Sequence, residues 1–173
     1  MNTRELAAFI RMMGGDAHKL NISDDMIVYA VNYAADELFD ALALAFSSVT
    51  QKRATITITD GEGELPADYR TLVRAEDSTG DEIFKGDSWD LEGDTVLSDL
   101  DEVTVVYNRS PVRITALGDT LDVPDIFFND LADIAGAILK GDRSGAREHA
   151  LLAAKRAAER RTYARIPDRP IWR

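Results

Sequence analysis

The chain has 173 residues, a formal net charge of -11, 45 % apolar residues and no cysteine. That length suits one domain, or one domain with an insert, and the apolar share is ordinary for a globular core. The missing cysteines exclude a disulfide framework, thiolate zinc sites and a cysteine nucleophile; no apolar run approaches the roughly 18 residues of a membrane span. The opening Met1-Asn2-Thr3-Arg4-Glu5-Leu6 lacks an apolar signal-peptide core, so synthesis in the cytoplasm is expected.

Thr3 to Met12 reads as a short helix. Leu6, Phe9, Ile10 and Met13 share a face, Thr3 is the expected N-cap, and Gly14-Gly15 ends it. His18 follows in a polar connector, where a histidine is ordinarily solvated. Ser23 caps a longer helix, with Asp24 and Asp25 in the first turn, where negative charge suits the helix dipole. Ile27, Val31, Ala34, Leu38, Leu42 and Phe46 recur every three or four residues and make one continuous stripe. Tyr29, Tyr33 and Phe39 widen it, which calls for more than one partner helix.

After Ser47-Ser48 the period becomes two. Ala54 to Thr59 alternates Ile and Thr, a strand pattern. Asp60 to Gly63 turns. Leu65 precedes a proline and should be extended, and Pro66 is expected to open a helical turn through Asp68 to Leu72. Glu82 to Lys85, Thr95 to Leu97 and Val103 to Tyr107 read as further strands, and Asp87 to Leu91 is ambiguous. Pro111 ends the pairing because it has no N–H to donate. Four or five short strands imply one small antiparallel sheet or barrel-like module.

A third helix is expected with Pro124 at its first position and Ile126, Phe127, Leu131, Ile134, Ala135 and Ile138 facing inward. Gly141 ends it, and Asp142 or Ser144 caps a fourth helix with an alanine-rich inner face. Its outer face carries Arg143, Arg147, Lys155, Arg156, Arg160 and Arg161. Pro167 and Pro170 exclude further helix, yet Tyr163, Ile171 and Trp172 stand among the arginines there. From Arg143 onward there are nine Lys or Arg against three Asp or Glu; the rest holds eleven against 28. The expected class is α+β: mainly an α-helical bundle of about four helices with an inserted small antiparallel β module. The expected segments are N-terminal bundle helices at 1–50, a β-rich insert at 51–112, C-terminal helices at 113–162 and an extended tail at 163–173.

Catalytic signatures are missing. There is no phosphate loop, dinucleotide glycine fingerprint or serine elbow, and the two histidines, His18 and His149, lack a metal spacing. Asp87 to Glu102 is rich in acids, but Gly93 falls too early for an EF-hand loop. Solvated strand-edge charges are the expected reading of that region. Neither catalytic residues nor metal ligands nor a cofactor are expected, and the chain is not expected to be an enzyme.

Three phrases carry a resemblance. Leu65, Pro66, Asp68 and Tyr69 form one; Tyr107 and Pro111 close the second; Lys140, Gly141 and Asp142 join two helices in the third. In this order, between helical segments, they resemble the head–tail adaptor (connector) proteins of tailed bacteriophages and are similar to tail tubular adaptors. The resemblance implies a virion structural protein at the neck, with twelve copies in a ring beneath the portal around the DNA channel. It implies subunit-to-subunit packing of the bundle, a β insert facing a tail-side protein (stopper, tail tube or nozzle), and a C-terminal segment on the portal. The matching residues here are Tyr163, Arg165, Arg169, Ile171, Trp172 and Arg173, while Arg156, Arg160 and Arg161 are expected to meet neighbouring subunits or an acidic partner. DNA would pass without specific binding, since an acidic body repels it; no membrane partner is expected. Two alternatives stand: a stopper, tail-completion or baseplate component, and a nucleic-acid-binding module using the basic last helix.

Overall fold

The structure is a computed structural model that describes residues 1–16, 18 and 21–164, with side chains as far as 160. The chain divides into two compact units, residues 48–110 and the two flanking segments taken together.

The flanking segments build a helical unit: α1 (Thr3–Met13), α2 (Asp24–Leu44), α3 (Phe128–Leu139) and α4 (Arg143–Ala164). Its core is the predicted stripe of α2, in which Ile27, Val31, Ala34, Leu38 and Leu42 are fully buried, packed with Leu6, Leu131 and Ile134. Ser23 caps α2 by accepting from the Met26 N–H at 3.2 Å. The cap of α1 is Asn2 rather than Thr3: the Asn2 side chain takes the Arg4 and Glu5 N–H groups. Thr3 lies inside the helix, and its hydroxyl donates to the Asp119 carbonyl at 2.7 Å. Pro124 precedes a 3-10 turn (Asp125–Phe127), and α3 begins only at Phe128. Gly141 adopts φ +77 at the α3–α4 turn, a left-handed position that suits glycine. Asp142 then accepts the Gly145 N–H at 2.8 Å at the start of α4. α4 runs to Ala164, so Tyr163 is helical rather than part of an extended tail. The stripe of α2 stops short of Phe46, which is 74 % exposed.

The second unit holds seven strands among the described residues: β1 (Gln51–Thr57), β2 (Glu62–Glu64), β3 (Tyr69–Glu76), β4 (Glu82–Ile83), β5 (Trp89–Glu92), β6 (Thr95–Ser98) and β7 (Glu102–Arg109). They form two antiparallel sheets, ordered β1-β7-β3-β4 and β2-β6-β5. This corrects the expected class. Helix accounts for 41 % and strand for 25 % among the described residues, so the protein is mixed α and β and not mainly a helical bundle. The expected single sheet of four or five strands is also replaced. Of the added strands, β2 has three residues, too short for alternation to show in a sequence, while the expected strand at Glu82 to Lys85 is present as the two-residue β4. The expected helical turn from Pro66 stops after one turn, closed by Tyr69 N–H to the Pro66 carbonyl at 2.8 Å. From Tyr69 the chain is β3, because Tyr, Thr, Leu and Val favour a pleated surface and β7 offers a ladder.

The core of this unit is Ile56, Ala75, Trp89, Val96, Val103, Val105 and Tyr107, with Leu65, Tyr69 and Leu72 packed against it. Gly63 of β2 passes so near β1 that a Cβ there would sit 2.5 Å from Ile56 Cγ2. Only glycine permits that approach.

Candidate functional site: a hydrogen-bonded node in the β unit

The turn from Pro66 ends with the Asp68 carboxylate beside β7. Its Oδ1 accepts from the Tyr107 hydroxyl at 2.8 Å and its Oδ2 takes Lys52 Nζ of β1 at 2.6 Å. The Asp68 backbone carbonyl accepts the Ser110 N–H at 2.7 Å. The ring of Tyr69 lies 5.7 Å from that of Tyr107, centroid to centroid, at 37°. Leu65 is fixed by its N–H to the Asp94 carbonyl at 2.9 Å. The turn, β1 and β7 are thus tied at one point, and three of the predicted motif residues, Asp68, Tyr69 and Tyr107, meet there, while Leu65 packs against the core of the unit. Pro66 supplies the turn's carbonyl. Pro111 belongs to the other unit and is not part of the node.

Burial acts to raise the Asp68 carboxyl, but the hydrogen bonds from Lys52 and Tyr107 and the Lys52 charge outweigh it and hold the group below the ordinary carboxylate range. Burial, the bond to Asp68 and the Asp68 charge push Tyr107 up to about 12. Near neutral pH the pair is fixed as phenol donor and carboxylate acceptor. Neither group is poised to exchange protons at that pH, which general acid–base chemistry requires.

A second set of buried polar contacts lies in the same sheet. Glu76, 5 % exposed, receives Arg53 at 2.6 Å and Arg74 at 2.7 Å. Thr50 donates to Asn108 at 2.9 Å, and Asn108 donates to Thr71 at 3.1 Å. The backbone N–H of Arg109 reaches the Thr50 carbonyl at 2.8 Å. The two ends of the unit are therefore pinned to each other. Sequence reasoning missed Lys52, Glu76 and Arg53, because cross-strand pairs follow from register, which no local pattern carries.

The acidic stretch from Asp87 spreads over β5, β6 and the approach to β7. Asp90 faces Lys85 at 3.0 Å, and the Leu91 N–H, then Lys85, lowers its carboxyl. Among the described residues no group of three or more His, Asp or Glu is placed to hold a metal ion. No described helix is long and apolar enough to cross a membrane.

On α4, Arg156 bonds Asp130 of α3 at 2.5 Å within its own chain. Burial, with the nearby Asp133 charge, raises the Asp130 carboxyl despite Arg156 and Arg160. Arg160 is exposed. The side chains of Arg161 and Tyr163 lie outside the described residues, as do Arg165, Arg169, Ile171, Trp172 and Arg173 entirely. Comparison with protein-family models gives no match, and comparison with curated proteins gives none.

Proposed function

We propose that the chain is a phage virion structural protein: a head–tail adaptor that forms a ring on the portal and joins the capsid vertex to the tail. The observation that carries the reading is the way the resembling phrase folds. Asp68 and Tyr69 of one phrase and Tyr107 of another come from distant parts of the sequence, yet they meet with Lys52 in one acid–phenol–ammonium node of the β unit. A node with fixed protonation and no cavity chemistry suits a part that bears load between neighbours rather than one that turns over a substrate. The helical unit is assembled from both sides of the insert, which leaves the β unit as a separate body for a second partner. In this reading the residues from Tyr163 onward engage the portal, with Ile171 and Trp172 as apolar anchors and Arg165, Arg169 and Arg173 as steering charges.

Co-sedimentation of the full chain with portal rings encoded by the same phage tests it. The wild type should travel with the portal, and Trp172→Ala with Arg173→Ala should weaken binding about a hundredfold. Travel with the tail tube instead would make the chain a tail-side component. Retention of DNA at low salt, lost steeply as salt rises, would favour the nucleic-acid reading.

A further inference from the structure

We infer that the outer edge of β1, over residues 51–55, takes an extended segment of another protein as an added strand.

Register decides which way the main chain of β1 points. β1 pairs with β7 without a shift, from Gln51 with Asn108 to Thr57 with Glu102. The Arg109 N–H reaches the Thr50 carbonyl at 2.8 Å and the Ile58 N–H the Asp101 carbonyl at 2.9 Å, so the hydrogen-bonded positions of β1 are the even ones. The odd ones, Gln51, Arg53 and Thr55, turn their main-chain groups away from β7. The Gln51 N–H is used locally, on the Ser48 carbonyl at 3.4 Å. Among the described residues nothing bonds the Gln51 carbonyl or the N–H and carbonyl groups of Arg53 and Thr55. Arg53 and Thr55 are exposed. The Thr57 carbonyl lies 3.0 Å from where a Cβ on Gly63 of β2 would sit, so β2 closes the edge there and leaves residues 51–55 open.

An edge of this kind is ordinarily kept from other chains by shortness, a proline, a bulge or a free charge. The other sheet edges, β2, β4 and β5, have three, two and four residues, whereas β1 has seven. β1 contains no proline and no bulge against β7. It does carry Lys52 and Arg53, but Asp68 holds the first at 2.6 Å and Glu76 the second at 2.6 Å. Both carboxylates belong to the same unit. Neither cation therefore confronts an incoming strand with an unpaired charge.

Unpaired N–H and carbonyl groups at alternate residues are matched in spacing and direction by another extended backbone. The side chains beside the edge set the pattern of that occupant. Ala54 packs against the core of the unit, so the positions next to it call for apolar side chains. On the other face Thr55 meets Thr104 at 3.1 Å and Arg53 meets Glu76, where short hydroxyl or amide side chains fit. A second copy of β1 fits poorly, because antiparallel pairing centred on the open stretch sets one Arg53 against the other. The occupant is a segment of a different protein, in which apolar residues alternate with small polar ones. The inference deepens the adaptor reading and rests on it only for identifying that protein as the tail-side neighbour.

Amide hydrogen exchange of the full chain, alone and with each tail-side protein encoded in the same genome, reads the edge residue by residue. Alone, Arg53 and Thr55 should exchange freely, while Ala54, bonded to β7, is protected. With the partner bound, Arg53 and Thr55 should slow by about ten- to a hundredfold. Thr55→Pro removes an outward donor and leaves the β1–β7 ladder whole, so the chain should stay folded by circular dichroism and bind about ten- to a hundredfold more weakly. Thr55→Lys keeps the backbone and puts a free charge at the edge, and it should weaken binding in the same sense. A complex in which both amides still exchange freely, binding unchanged in both variants, or binding to none of the tail-side proteins overturns the inference. Slowing that grows instead with the concentration of the chain alone assigns the edge to a second copy and overturns it too. A ring on the portal with the edge still open sinks this contact and spares the adaptor reading; an edge covered by a tail-side protein without portal binding does the reverse.

Discussion

In the helical unit the largest buried side chains are Phe39, Leu6, Ile10, Ile27, Leu38 and Leu131, and the buried polar residues Thr3, Arg11, Asp16 and Ser47 sit at or beyond helix ends. In the β unit Thr104, Asn108, Arg109 and Glu76 are buried within the strands themselves. Apolar packing is non-directional and needs only volume and pattern. Buried polar pairs are satisfied in one register and penalise others. The helical unit can thus leave Leu44, Phe46, Met13 and Met26 at its surface and still hold its fold, whereas the β unit is clamped into one shape.

The largest break in this comparison should come from the apolar side. Leu131→Ala, at a fully buried site, should cost the helical unit about 2–5 kcal/mol in urea unfolding followed by circular dichroism. Next comes the node. Asp68→Asn leaves half-exposed Lys52 without its anion and should cost about 1 kcal/mol, read by the fluorescence of buried Trp89 in the same unit.

Acid and base sharpen that second prediction. The Asp68 carboxyl is depressed in the folded state, so its contribution is complete above the unfolded value of about 3.9 and is lost as pH falls through the folded value. Tyr107 is raised to about 12, so its contribution is complete below about 10 and is lost as pH climbs from there to about 12. Tyr107→Phe should reduce the alkaline loss and Asp68→Asn the acid one, the remainder coming from Tyr69, also raised by burial, and from Asp77 and Asp90, also lowered by their hydrogen bonds. A variant that keeps its loss would show that the node is not its source.

Smaller effects separate surface from core. Phe46→Gly should stabilise the helical unit by about 1 kcal/mol by relieving the left-handed backbone. Arg156→Ala should cost no more than about 1 kcal/mol in melting experiments, since its guanidinium is half exposed on Asp130.

Much of the helical unit was legible because a period of 3.6 residues is local: Ile27, Val31, Ala34, Leu38 and Leu42 announced their own burial. Phe46 was not, because it falls at the next stripe position and nothing in spacing says that the helix ends first. The β unit was read worse. Around Trp89 no period stands out, the start of β3 follows a proline that favours a helical turn, and the division into two sheets depends on register across distant residues. Of the node, the phrase named Asp68, Tyr69 and Tyr107, but not that a hydrogen bond joins two of them or that Lys52 completes the set.

The most direct test of the proposed adaptor role is electron microscopy of the purified full chain mixed with portal rings encoded in the same genome. The account predicts one added ring of density on a single face of the portal, with its copy number open to counting. Portal rings without added density, with both proteins folded, would contradict it.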